Sequence, residues 1–165
     1  MAEGTNTDRH PRVNDFASLA RDAYGFDIDV HEFPAGTKTA TDAAAAIGCS
    51  TEQIACSIVL DGSDGLVVVI ASGANRIDMD KAADAIGTER LAMAEPDDVR
   101  ETLGWSIGGV PPICHEDVVP MLFDEMLLEH DVVWVATGTP TAVFPIEPAV
   151  LVELTGATVG DVRQT

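Results

Sequence analysis

The chain has 165 residues, 46% of them apolar, and a formal net charge of −19 from 28 Asp plus Glu against 9 Lys plus Arg. That length and apolar content fit one domain with a buried core and exclude a disordered chain. No apolar run approaches the roughly 18 residues needed to span a bilayer, so no membrane partner is expected.

The three cysteines (Cys49, Cys56, Cys114) form no Cys-x-x-Cys pair, and the four histidines (His10, His31, His115, His130) are widely spaced. Reduced thiols, no metal site and no cofactor are therefore expected. Only two of the cations are lysines, Lys38 and Lys81, and the acids are dispersed along the whole chain. At low ionic strength such a surface repels itself, whereas at molar salt the Debye length falls to about 3 Å. Composition thus predicts a halophilic protein; an acidic protein that meets cationic partners is the alternative. The polar start, Met1 to Arg9, has no apolar h-region, and a cytoplasmic location is expected.

Residues 1–13 read as a flexible end, broken at His10-Pro11, and 14–165 as one domain. Asn14 or Asp15 caps a predicted helix with Phe16, Leu19, Ala20 and Ala23 on one face, stopping near Gly25. Phe26–Phe33 alternates as a strand that enters the Pro34-Ala35-Gly36 turn. Thr41 caps an alanine-rich helix over Asp42–Ile47, ended by Gly48. Ile54–Leu60 and Leu66–Ala71 are predicted as central strands of a hairpin around Asp61–Gly65. A helix follows from Asp78 or Asp80 to Ile86, then a short strand at Arg90–Met93 and a helix at Pro96–Leu103 with proline in its first turn. Gly104–Pro112 has loop composition. Val118–Phe123 and Val132–Ala136 are predicted strands with a helical turn between them, and Ala142–Pro145 is another. Helix Pro148–Thr155 precedes a last strand at Val159–Val162. The sum is an α/β (α+β) fold, a mixed sheet of about six or seven strands with short helices and no regular βα alternation.

The loop Gly108-Gly109-Val110-Pro111-Pro112 is the first candidate for chemistry. Paired glycines expose main-chain N–H groups and the prolines stiffen the turn, so the loop can hold donors toward a carbonyl or phosphate oxygen. A plain structural turn is the other reading of the same residues.

Further motifs accompany it in order: Thr41-Asp-Ala-Ala-Ala-Ala-Ile-Gly48, Glu52-Gln-Ile-Ala-Cys-Ser-Ile-Val59, Ser72-Gly-Ala-Asn-Arg-Ile-Asp78, Asp124-Glu-x-Leu-Leu128, Trp134 through Pro148, and Leu151-Val-Glu-Leu-Thr-Gly156. The ordered set, over about residues 30–162, resembles the YbaK/EbsC family. The resemblance implies a mixed, mostly antiparallel sheet of about seven strands. It also implies a domain that hydrolyses the ester joining a wrong amino acid to the tRNA 3′ end. The partner is then aminoacyl-tRNA, with no DNA, and the chemistry needs neither metal nor nucleophilic side chain.

The family's Gly-x-x-x-Pro motif falls on Gly108 and Pro112. Backbone amides of this loop, with Gly109 and Val110 inside it, would hold the substrate carbonyl while water attacks, and the substrate's ribose hydroxyl would help position it. The family lysine after the Gln-x-x stretch is Cys56 here. Three readings of Cys56 stay open: a nucleophile served by His31 or His115, a passive wall, or a substitution that lowers or alters activity. Lys38 is a candidate replacement cation. Ser57, Ser72 and His115 are candidates for pocket hydrogen bonds, and Thr137, Gly138 and Thr139 occupy the late glycine-rich turn where the family binds ligand. Trp105 and Trp134 read as packing or as a stacking surface for the terminal adenine. The alternative function is a YbaK-like module that binds a nucleotide or aminoacyl group without hydrolysing it; an unrelated thiol hydrolase acting through Cys56 is a third.

Overall fold

A computed structural model of the chain describes residues 11–25, 27–33, 39–139 and 141–164. Helix α1 (Pro11–Tyr24) buries Val13, Phe16 and Ala20 on one face and is followed by Gly25 at φ +74°. It begins three residues earlier than Asn14, because proline at the first helical position needs no N–H partner and Val13 extends the apolar face. The expected strand over 26–33 shrinks to β1 (His31–Glu32), two exposed residues that pair with a single neighbour. Phe26, Pro34–Gly36 and Lys38 lie outside the described residues, as do residues 1–10.

Helix α2 (Ala40–Ile47) is capped by Thr39, whose hydroxyl accepts the Asp42 N–H at 3.0 Å. Thr41, the expected cap, is already inside the first turn. The hairpin of β2 (Ile54–Gly62) and β3 (Gly65–Ser72) is longer than its apolar residues alone predict, closing on the two-residue turn Ser63-Asp64. Helix α3 (Met79–Ile86) is capped by Asp78, and β4 (Leu91–Met93) follows. Helix α4 (Pro96–Leu103) leads into the long irregular stretch that carries the Gly108 loop. Strand β5 (Met121–Asp124), a 3₁₀ turn over Glu125–Glu129, β6 (Val133–Ala136), β7 (Ala142–Ile146), α5 (Pro148–Thr155) and β8 (Thr158–Gly160) complete the chain.

The fold is α/β, an eight-stranded mixed sheet in the order β1-β7-β6-β2-β3-β5-β8 with β4 also on β2. Strand β3 is apolar on both faces because both are covered. Val68 and Ile70 face a core with Phe16, Leu103, Trp105, Phe123, Phe144 and Leu151, while Val67, Val69 and Ala71 face α3 through Ala82 and Ala83. Among the described residues no helix is long and apolar enough to cross a membrane.

Strand β2 decides where the site lies. One edge pairs with β3 along its whole length. The other is shared: β6 runs parallel to its start (Ile54↔Trp134, Ala55↔Val135) and β4 antiparallel to its end (Leu60↔Met93 to Gly62↔Leu91). Between the two partners the sheet is open beside Cys56, Ser57 and Ile58.

Candidate functional site

A cavity of about 280 Å³ occupies that opening. Its walls come from α2 (Ala40, Ala43), β2 (Ile54 to Val59), β6 (Trp134, Ala136) and the loop residues Ile107, Gly108 and Val110, with Thr39, Met93, Thr139 and Val143. No charged side chain is among these described lining residues.

The Gly108 loop is held by close packing. Gly108 has φ +95°, a conformation that favours glycine. Gly109 is buried against the late turn: a Cβ there would sit 2.6 Å from Thr139 Cα and 2.9 Å from the Gly138 carbonyl carbon. The Gly109 N–H is spent on Ser106 O at 3.1 Å. Pro111 and Pro112 have no N–H, so Gly108 and Val110 carry the loop's remaining donors, and no described group accepts from either.

The cavity brings together Cys56, Ser57, Gly108, Val110 and Thr139 of the residues singled out from the sequence. Cys56 is half-buried beside Ile54 and Trp134, and burial pushes its thiol up, which keeps it protonated at neutral pH. No described histidine or carboxylate hydrogen-bonds to it. Thr139 accepts the Thr141 N–H and shares a 3.1 Å bond with the Thr141 hydroxyl.

The other candidates are placed elsewhere. Ser72 is buried, giving its N–H to Asp124 Oδ2 and its hydroxyl to Glu52 O. Asp124, also buried, caps the following turn through Met126 N–H and accepts from Asn75. The Thr137 hydroxyl donates to Ala142 O inside the β6–β7 connection. Gly138, at φ +108°, makes room for Trp105, whose ring a Cβ would meet at 2.7 Å. His31 packs edge-on against Trp134 at 4.9 Å and bonds Asp29, so it backs the cavity wall without lining it.

Pro112 and His115 line a separate cavity of about 450 Å³ between α1, residues 112–119 and α5. Cys114, at φ +68°, turns the chain there, and His115 Nε2 lies 2.7 Å from Pro111 O. A carbonyl only accepts, so Nε2 carries the proton and donates. Trp105 Nε1 donates to Cys114 O at 2.9 Å, and the Arg12 guanidinium stacks 4.0 Å from the Trp105 ring. These contacts fix the loop from behind. Burial of His115 lowers its pKa below the ordinary value, with the Pro111 bond partly opposing. The folded chain then binds fewer protons here than the unfolded one, and stability is lost as pH falls below about 6.5. His115→Gln is expected to flatten that dependence in urea melts compared at about pH 5 and about pH 8, and His115→Ala to lose about 1 kcal/mol at neutral pH.

Sequence reasoning missed Met93, Ile107, Ala40 and Ala43. Met93 ends a strand that reaches the cavity only through its pairing with Leu60, for which the local sequence carries no signal.

The profile of the aminoacyl-tRNA editing domain family matches residues 34–154. The chain belongs to that family. The editing domain is 32% identical to the protein YwhH of Bacillus subtilis over 128 residues, 76% of this chain and 80% of that one. It is 25% identical over 131 residues, 79% of this chain and 76% of the other, to the multifunctional Ser/Thr-tRNA deacylase ProXp-y of Escherichia coli. Among solved structures, one described as a candidate trans-editing enzyme for prolyl tRNA synthetase superposes with a TM-score of 0.89 at 39% identity, covering 96% of this chain and 100% of that one. The sheet and its surrounding helices are thus those of a known editing fold. Within it, the matched region contains the whole described wall of the 280 Å³ cavity.

Proposed function

We propose that this editing domain works in trans, hydrolysing the ester of mischarged aminoacyl-tRNA through the cavity beside Cys56. The observation that carries this reading is the pair of donors that no described group uses, Gly108 N–H and Val110 N–H, in residues that line a pocket with no charged side chain among its described walls. In such surroundings a fixed N–H pair stabilises an oxyanion strongly, each donor contributing about 10²–10³ in rate. Water adds to the ester carbonyl carbon, the oxyanion rests on the two N–H groups, and collapse expels the ribose oxygen. That oxygen takes up a proton, leaving a free amino acid and a deacylated tRNA. Neither a metal nor a nucleophilic side chain is required.

The net charge of −19 disfavours a polyanion. At the molar salt that the acidic composition anticipates, coulombic attraction to phosphates is weak for any protein, and contacts with the 3′ end carry binding. The assay is therefore incubation in high KCl with a panel of mischarged tRNAs. Alanyl and cysteinyl species suit the small pocket, whose described lining residues are uncharged, and seryl and threonyl species follow the name of the Escherichia coli relative. Deacylation of at least one above its spontaneous rate is expected; none above it would overturn the proposal. A second reading, a module that binds the aminoacyl end without hydrolysing it, draws on Cys56, which supplies no positive charge. It predicts protection of one ester from spontaneous hydrolysis.

A further inference from the structure

Successive residues of a strand turn their peptide groups to opposite edges. In β2 the Ile54 carbonyl accepts Gly73 N–H at 2.7 Å, on the β3 side, while the Val59 carbonyl accepts Ala94 N–H at 3.3 Å, on the β4 side. Even-numbered residues of β2 therefore serve β3, as the two-residue turn closed by Gly62 and Gly65 also requires. Ala55, Ser57 and Val59 present their peptide groups to the opposite edge. Ala55 pairs there with Val135, and Val59 is taken by Ala94. The ladder with β6 ends at Ala55 and that with β4 begins at Leu60, which leaves the Ser57 N–H and C=O facing the opening that the cavity fills.

An α-aminoacyl ester carries an ammonium group one carbon from the carbonyl that the Gly108 loop would hold. Burying that cation needs an acceptor. Among the described lining residues there is no carboxylate; the hydroxyls of Thr39 and Thr139 already accept from Asp42 N–H and Thr141 N–H, which leaves the Ser57 hydroxyl and open main-chain carbonyls as acceptors. We infer that the main-chain carbonyl of Ser57, left open by the break between β6 and β4, receives the substrate's α-ammonium group. This makes Ser57 a specificity-determining position through its backbone, selecting aminoacyl esters from esters without a free amine. The inference rests on the deacylase reading.

Three acyl groups on the same tRNA minihelix test it: alanyl, N-acetylalanyl and lactyl, the last replacing the ammonium with a hydroxyl of nearly equal size. With each rate referred to its own spontaneous hydrolysis, the N-acetyl and lactyl species are expected to lose about ten-fold or more in kcat/KM, as for loss of a charge-assisted hydrogen bond. Equal acceleration of all three would overturn this inference and leave the deacylase reading standing. Acceleration of none of the three, together with none of the mischarged panel in high KCl, would overturn both. Ser57→Ala keeps the carbonyl and is expected to keep the alanyl-to-lactyl ratio; a collapsed ratio would assign the role to the hydroxyl and overturn the inference.

Discussion

Gly109→Ala is expected to lower kcat for deacylation by about 100-fold while the chain still folds. The added Cβ would meet Thr139 Cα at 2.6 Å, Thr139 N at 2.8 Å and the Gly138 carbonyl carbon at 2.9 Å. These are main-chain atoms of a turn fixed by its own bonds, Thr137 to Ala142 O and Thr141 N–H to Thr139 Oγ1, so none can rotate aside. The Gly108–Val110 segment must retreat instead. A shift of about 1 Å is enough to take prepositioned donors out of register with a developing oxyanion. Single-turnover deacylation measures the loss, and thermal melts separate it from unfolding. Gly160→Ala, where a Cβ meets nothing within 4 Å, serves as the neutral control. A Gly109→Ala chain with the parent's rate would show that the loop does not hold the reacting carbonyl.

The same residues explain what the sequence could and could not reveal. Helices α4 and α5 fall where Pro96 and Pro148 open them and where Gly104 and Gly156, at φ +83° and +65°, close them. Those are local rules, legible without a structure. The β2–β3 hairpin was equally legible, but the division of β2's far edge between β6 and β4 was not. It joins residues some 30 to 80 positions apart, and the cavity exists only because of it. The Gly108 loop stood out by its paired glycines and following prolines, and Cys56 by its place in an ordered set of motifs; the fold brings both to one cavity wall.

His115 was drawn toward the same pocket by its nearness to Pro112. The left-handed turn at Cys114 sends it to the loop's other side, where it bonds Pro111 O. Ser72 was a candidate from its place at a strand end, and Thr137 from the late glycine-rich turn where the family resemblance implies a ligand. Here each satisfies a main-chain carbonyl, Glu52 O and Ala142 O respectively, a pairing that only the folded chain discloses.

Cys56→Lys is expected to raise kcat/KM about 10-fold to 100-fold, restoring a cation where the resemblance to the YbaK/EbsC family implies one. The present thiol is half-buried, pushed up by burial and neutral, and no described charged side chain lines the cavity. An ammonium there adds a donor and a positive charge beside the Gly108 and Val110 N–H groups, both favouring an oxyanion over the ground-state carbonyl. Burial lowers the pKa of a lysine. The gain should accordingly be largest at low and neutral pH and vanish as pH rises through the lysine's depressed pKa. Cys56→Met, neutral and also longer than cysteine, separates charge from volume and is expected to bring no gain. If both variants accelerate, packing at the cavity wall limits the rate. If neither does while both fold, a missing charge is not what limits the site. The decisive determinants would then be the main-chain groups of Gly108, Val110 and Ser57, which no side-chain substitution at position 56 supplies.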